Sequence, residues 1–283
     1  MATSVADLLN AATARIAAAL SLDLRDARLD ARVLAAHVLN VEAAWLVAHD
    51  TDAVREVHQH TYENLVLRRI AGEPVAYLTG VREFYGRAFQ VTPAVLIPRP
   101  DTELLIELAL QRLPADQPLR VLDLGTGSGC IAISLAKERS CARITAVDRM
   151  AGALAVAQIN AATHQASVEW LLGDWFSPLA NRQFDLIVSN PPYIAENDPH
   201  LTQGDVRCEP TTALVSGTVG LDDIGRIIVE ARAHLAPGGQ LLLEHGYNQG
   251  AAVRAQLNAA GYRATESWRD LSGTPRVSGG VSE

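Results

Sequence analysis

The sequence predicts an α/β protein with a mostly parallel sheet, preceded by a small all-helical domain. Three observations predict it. From Asp101 onward, short apolar runs alternate with helix-period segments, the pattern of a sheet covered by helices on both faces. A glycine-rich turn, Asp123-Leu124-Gly125-Thr126-Gly127-Ser128-Gly129, joins one such run to one such helix. Residues 1 to about 72 carry helical spacing and no strand pattern.

In order along the chain, Val5, Leu8, Leu9, Ala12 and Ile16 recur at helical spacing. Ser4 is placed to cap that helix, with Asp7 three residues later completing a capping box. A second helix is expected over Asp30–Leu39, with Val33, Leu34 and Val38 on one face, and a third over roughly Val54–Ile70. Gly72 and Pro74 break the pattern. Aromatic and β-branched residues then dominate from Val75 to Pro100, and Gly80 and Gly86 mark one or two hairpins. The expected organisation is therefore a helical domain over 1–72, a β-hairpin linker over 73–100 and an α/β domain over 101–283. Late strands are expected at Gln240–Glu244, after a turn at Pro237-Gly238-Gly239, and at Tyr262–Trp268.

Composition narrows the function. The 283 residues are 48% hydrophobic and 20% charged, ordinary values for a water-soluble protein. The net charge of −8 argues against tight non-specific nucleic-acid binding, which needs Lys and Arg against phosphates. Cys130, Cys141 and Cys208 have no zinc spacing and read as reduced thiols of a cytoplasmic protein. The scattered histidines suggest no metal site. No apolar run approaches the ~20 residues that span a bilayer. The N-terminus, with Asp7 and Arg15, lacks the apolar stretch of a signal peptide.

The glycine turn follows the run Val121-Leu122-Asp123-Leu124 and precedes the helical Ile131, Ile133 and Leu135. Strand, glycine turn and helix N-terminus form a nucleotide-binding corner. The spacing is G-x-G-x-G, without the Lys of a phosphate-binding P-loop. A second run, Ile144-Thr145-Ala146-Val147, ends in Asp148, about 20 residues after the turn, where an acid binds ribose hydroxyls. A ribose-containing ligand without a triphosphate is favoured: S-adenosylmethionine fits and NAD competes. Asp123 is a candidate for the amino-acid end of the ligand. A third run ends in Gly173-Asp174-Trp175, offering a carboxylate for an adenine amino group and an indole to pack on the ring. A fourth, Phe184–Ser189, ends in Asn190-Pro191-Pro192-Tyr193. Gly125, Asp148, Trp175 and Asn190 thus end successive strands and are expected to face one crevice.

The tetrapeptide suits methylation of a planar nitrogen. An amide or exocyclic amine is a poor nucleophile, because its lone pair is delocalised. Asn190 offers a side-chain carbonyl acceptor and Pro191 a backbone one. The two prolines stiffen the backbone and keep those acceptors preorganised. Tyr193 supplies a flat face for a planar group.

With these residues in view, the chain resembles the HemK/PrmC family, the protein-(glutamine-N5) methyltransferases of peptide chain release factors. The resemblance is carried by Arg28-Leu29-Asp30-Ala31, Gly72-Glu73-Pro74-Val75-Ala76-Tyr77, Phe84-Tyr85-Gly86 and Leu96-Ile97-Pro98-Arg99-Pro100-Asp101-Thr102-Glu103. The tetrapeptide, Glu209-Pro210, Ala213-Leu214 and Glu244-His245-Gly246 complete it. It implies a Rossmann-like, seven-stranded class I S-adenosylmethionine-dependent methyltransferase sheet with one antiparallel strand. It implies that Gly125, Thr126, Gly127, Ser128, Gly129, Asp148, Trp175 and Asn190 hold S-adenosyl-L-methionine, released as S-adenosyl-L-homocysteine, and the residue reading adds Asp123 and Asp174 to that set. It implies that Asn190, Pro191, Pro192 and Tyr193 hold the glutamine of a Gly-Gly-Gln loop in class 1 release factors; the chemistry of the tetrapeptide makes Asn190, Pro191 and Tyr193 the expected catalytic residues. A cytoplasmic monomer is expected, with neither membrane nor direct nucleic-acid binding. A ribosomal-protein glutamine methyltransferase and a DNA adenine-N6 methyltransferase share this type of tetrapeptide and are the alternatives. The chain departs from the family pattern at Asp101, where Glu is commoner, at Val219, where Asp often stands, and at Thr274-Pro275 before Arg276.

Overall fold

A computed structural model describes residues 3–283. They divide into two compact units, one running up to Val81 and including Thr202–Cys208, the other comprising Arg82–Leu201 and Glu209–Glu283.

The first unit is helical: α1 Val5–Leu20, α2 Leu24–Leu39, α3 Ala43–Ala48, α4 Glu56–Ile70 and α5 Val75–Thr79. The Ser4 hydroxyl accepts from Asp7 N, and the Asp7 carboxylate accepts from Ser4 N, so the expected capping box forms. The second helix starts earlier than expected, because the Asp23 carboxylate accepts from both Arg25 N and Asp26 N. Its buried face is Ala27, Ala31, Leu34 and Ala35, whereas Val33 is exposed. Alanines let α2 lie close to α1 and α4, so small residues rather than branched ones mark its inner face. The short α3 has no counterpart in the sequence reading. Nor does α5: Val75–Thr79 is helical, although its residue types favour strands, because Tyr77 and Leu78 are buried there. The segment Thr202–Cys208 joins this unit through Arg69. That guanidinium is 6% exposed and donates to Asp30 Oδ2 and Asp205 Oδ1, each at 2.7 Å.

The second unit opens with one hairpin, β1 Val81–Phe84 and β2 Arg87–Gln90. Then come α6 Glu103–Arg112, β3 Arg120–Leu124, α7 Cys130–Glu138, β4 Arg143–Asp148, α8 Ala151–His164, β5 Val168–Leu172 and β6 Phe184–Ser189. After a long loop follow α9 Asp222–His234, β7 Leu235–Glu244, α10 Gly250–Ala259, β8 Arg263–Arg269 and β9 Pro275–Val281. The seven-stranded sheet has the order β5-β4-β3-β6-β7-β9-β8. All its strands are parallel except β9, which runs antiparallel to β7 and β8. This is a class I methyltransferase fold. β3, β4 and β6 are covered on both faces and read as nearly continuous apolar runs, as parallel central strands do.

Two details differ from expectation. β7 begins at Leu235, so Pro237-Gly238-Gly239 is an irregularity inside the strand: Phe184 pairs with Leu235, but Leu186 pairs with Gln240. The last strand, β9, lies in a Gly- and Ser-containing stretch without an apolar run. A Cβ at Gly279 would stand 2.4 Å from Leu241 O, so the missing side chain is what lets β9 fit beside β7.

Candidate active site

The switch in strand order falls between β3 and β6, where the chain leaves β5 and returns to the middle of the sheet. Ligands of such sheets bind beside the C-terminal strand ends at this point. A cleft open to solvent lies there. Gly125, Gly127, Asp148, Asp174, Trp175, Asn190 and Pro192 are among its lining residues. The ends of β3, β4, β5 and β6 therefore meet in one crevice.

The glycines of the loop serve different ends. Gly127 has φ +56° and open space where a Cβ would stand, and its N–H donates to Asp148 Oδ2 at 2.9 Å. Gly129 has φ +80°, and a Cβ there would meet Ile133, Ala157 and Trp170 at 3.0–3.1 Å. It lets α7 and α8 close on β5 and does not line the cleft. Asn160 of α8 supports the loop: its Nδ2 donates to Ser128 O and Gln90 O, and its Oδ1 accepts from Gln90 N.

The carboxylates are differently placed. Asp148 also accepts from Met150 N at 2.8 Å. Burial raises its pKa, and the two backbone N–H donors pull it back. Asp123 is fully buried under the loop. Its Oδ2 accepts from Thr126 Oγ1 at 2.6 Å and Ala132 N at 3.2 Å, while Oδ1 has no protein partner. Burial pushes Asp123 up to about 7, and the nearby charge of Asp148 adds to the rise. Asp174 is half-exposed at the cleft edge and pairs with Arg226 of α9 at 2.6 Å.

Trp175 is both core and lining. It is 7% exposed, it holds a positive φ of 48°, and its Nε1 donates to Asp223 Oδ1 at 3.2 Å. The ring stands 3.2 Å from where a Gly125 Cβ would be, so that glycine makes room for the indole.

At the end of β6, Ser189 Oγ donates to Leu124 O at 2.7 Å and ties the tetrapeptide to β3. Asn190 Nδ2 donates to Thr102 Oγ1 at 3.1 Å, so the carbonyl end of the amide is not spent on that contact. Pro191 and Pro192 are buried. The Tyr193 carbonyl accepts from Gln249 Nε2 at 3.0 Å, and its phenol donates to Glu244 Oε1 at 3.4 Å. Burial first, and the Glu244 charge second, raise the Tyr193 pKa and keep the phenol a neutral donor. Tyr193 faces a second cleft, shared with Val219, Tyr247, Gln249 and Arg276. Of the sequence departures, Val219 lines this cleft, and the other two connect to its Arg276, which pairs with Asp101 at 3.0 Å and with Asp270 at 3.1 Å, Asp270 in turn accepting from Thr274 N.

Comparison with known proteins agrees with this geometry. Residues 7–80 match the PrmC N-terminal domain and residues 102–206 the methyltransferase small domain. The chain is 54% identical to the release factor glutamine methyltransferase of Bordetella pertussis over 89% of its own length and 94% of that protein. It is 51% identical to the Escherichia coli release factor glutamine methyltransferase, over 88% and 90%. The chain belongs to this family. Among solved structures, the 16S rRNA N2 G1207 methyltransferase of T. thermophilus, in complex with AdoMet and guanosine, shares the fold at a TM-score of 0.55 and 20% identity. It covers 72% of this chain and 50% of that one.

Several residues that hold the cleft lining in place escape the sequence reading. Thr102 and Glu244 were part of the matched motifs but carried no role, since their partners lie far away in sequence. Asn160, Asp223 and Arg226 sit on helices as ordinary polar residues, and no local signal marks them.

Proposed function

We propose that this chain transfers a methyl group from S-adenosylmethionine to the N5 amide nitrogen of the glutamine in the Gly-Gly-Gln loop of class 1 release factors. The names of its relatives and the AdoMet bound to a protein of like fold support this. The single observation that carries the mechanism is Asn190, which lines the cleft with its amide N–H engaged by Thr102 and its carbonyl left to accept.

The residues fit the methyl donor. The cleft lies at the C-terminal strand ends, where such sheets bind their ligands. Gly127 leaves open space at its wall, and Asp123 Oδ1 is a buried acceptor without a protein partner. Asp148 would hold the ribose hydroxyls, Asp174 and Trp175 the adenine, and Gly125 and Gly127, backed by Asp123 under the loop, the amino-acid end. When bound, S-adenosylmethionine supplies an electrophilic sulfonium methyl.

The chain does the rest by orientation. Asn190 Oδ1 and the Pro191 carbonyl accept the two amide hydrogens and aim the nitrogen lone pair at the methyl. Tyr193 packs on the amide plane. Both acceptors stabilise the positive charge that grows on nitrogen, and no side chain serves as nucleophile. The proton becomes acidic as the new bond forms and leaves to solvent. Residues 1–72 recognise the body of the protein substrate, 73–100 link, and 101–283 carry the transfer. A translation-factor substrate places this work in the cytoplasm.

The test is methyl transfer from labelled S-adenosylmethionine to purified, unmethylated release factor, located by peptide mass spectrometry. Label on the Gly-Gly-Gln glutamine, lost at least a hundredfold in Asn190→Ala (of the order expected when a charge-stabilising acceptor is removed), supports the reading. Label on a ribosomal protein or DNA instead, or wild-type turnover by Asn190→Ala, refutes it.

A further inference from the structure

Gln249 lines the second cleft and not the methyl-donor cleft. It occupies the N-cap of α10, yet its side chain makes no capping hydrogen bond, and glutamine is not among the residues that caps favour. Its Oε1 accepts from Gly246 N at 2.8 Å, just after β7. Its Nε2 donates to Tyr193 O at 3.0 Å, at the end of the tetrapeptide. The same nitrogen donates to Gly220 O at 3.1 Å and Val219 O at 3.4 Å, shortly before α9. One amide thus joins three stretches of backbone.

The partners fix which way that amide points. A backbone N–H only donates and a backbone carbonyl only accepts, so Oε1 faces Gly246 and Nε2 faces the carbonyls. The contact with Gly246 closes the turn Gly246–Gln249, in which Gln249 N also donates to Gly246 O at 3.0 Å. The NH2 group is then aimed where two other backbones meet. Gly220 is buried there at φ +73°, and a Cβ on it would stand 2.2 Å from Tyr193 O and 2.8 Å from Gln249 Nε2. Two carbonyl oxygens brought to one place repel, and the two N–H bonds of Gln249 give each of them a donor.

We infer that Gln249 is a positioning residue for the target side chain: its amide sets the place of Tyr193 and ties it to the exposed apolar pair Val219 and Tyr247. Those two side chains line the same cleft and are each 62% exposed. Val219 is bonded to Gln249 itself, and Tyr247 follows Gly246, which is. The face on which the target amide packs and the apolar mouth beside it therefore move as one piece, and the mouth meets the residues that flank the target in the protein substrate. The inference rests on the reading of Tyr193 as packing on the target amide.

Two variants of the full chain test this. Gln249→Met removes the amide at nearly constant shape, and Gly220→Ala pushes Gly220 off the Tyr193 carbonyl. Neither touches the pairing of the next residue, in which Ile194 N donates to Leu214 O and Ile194 O accepts from Ser216 N. The stoichiometry of S-adenosylhomocysteine binding in calorimetric titration counts the folded chains. The first readout needs no substrate. With 13C-labelled tyrosine, the Tyr193 ring signals, assigned by their absence in Tyr193→Phe, shift in both variants, while affinity for S-adenosylhomocysteine is unchanged. The second is kinetic. Per binding-competent chain, kcat falls roughly tenfold to a hundredfold, as a misplacement of about 1 Å does. KM for release factor rises, and KM for the methyl donor does not. The double variant is no slower than the worse single one, because both changes break one junction. Unmoved Tyr193 signals, wild-type kcat per competent chain, methyl-donor affinity that falls along with kcat, or losses that multiply in the double variant overturn the inference. A wild-type chain that transfers no methyl to release factor refutes the proposed function instead, and the Tyr193 signals still decide the role of Gln249.

Discussion

Gly127→Ala and Gly129→Ala add the same methyl group two residues apart in one loop, and the structure separates their effects. Both residues have positive φ, +56° and +80°, so each alanine carries a left-handed backbone cost of about 1 kcal/mol. At Gly127 nothing stands within 4 Å of the new methyl, and the backbone cost is the whole stability loss. At Gly129 the methyl meets Ile133, Ala157 and Trp170 at 3.0–3.1 Å. Overpacking of that kind adds about 1–3 kcal/mol, for a total of about 2–4 kcal/mol. Ligand affinity follows the opposite order. Gly127 lines the cleft, and a methyl there narrows the wall; Gly129 is turned into the packing of α7 on β5. Urea unfolding measures the first effect, and calorimetric titration with S-adenosylhomocysteine measures the second. Gly129→Ala should lower the midpoint more and keep the affinity of the folded fraction, and Gly127→Ala should lower the midpoint less and lose affinity. Equal midpoints for the two variants, or a Gly127→Ala protein that binds like wild type, would refute this division of labour.

Three further outcomes follow from the same coordinates. Asp123 and Glu244 both have pKa values raised to about 7 by burial. Each therefore contributes stability that is full below its unfolded pKa and lost as pH rises through about 7. The expected loss between about pH 5 and 8 is about 2–3 kcal/mol per group, so Asp123→Asn should flatten the pH dependence of the unfolding midpoint, and an unchanged slope would count against the raised pKa. In the helical unit, Arg69→Ala strands Asp30, whose pKa burial already raises against the pull of Arg69. It should cost about 3 kcal/mol or more in chemical denaturation followed by circular dichroism; a loss below 1 kcal/mol would mean that solvent reaches the pair. Asp223→Ala removes the partner of the Trp175 indole N–H. It should cost about 1–2 kcal/mol and weaken S-adenosylhomocysteine binding, visible as altered tryptophan fluorescence, and an unaltered spectrum would show that packing alone holds the ring.

Much of the fold could be read from local pattern. Parallel strands buried on both faces produce continuous apolar runs, so β3, β4 and β6 stood out. Ser4 and Asp7 cap α1 through contacts three residues apart, and such contacts leave a signature in sequence. Where the deciding contact is distant, the local signal was absent or misleading. Val75–Thr79 carries strand-like residues but packs as a helix. β9 contains Gly279 and Gly280 and forms because it pairs with β7 on one side and β8 on the other.

The site divides in the same way. The glycine turn, the acid at Asp148 and the tetrapeptide were legible because each chemistry needs particular residue types at short spacing, and that requirement is written in one dimension. By itself the sequence determined the chemistry and the strand ends that would supply it. Only the tertiary structure decided what holds those groups in place: Asp223 on Trp175, Arg226 on Asp174, Asn160 under the loop, and Thr102 on Asn190. Each of these partners is tens of residues away along the chain. Support of that kind depends on where the chain returns in space, which local spacing does not encode.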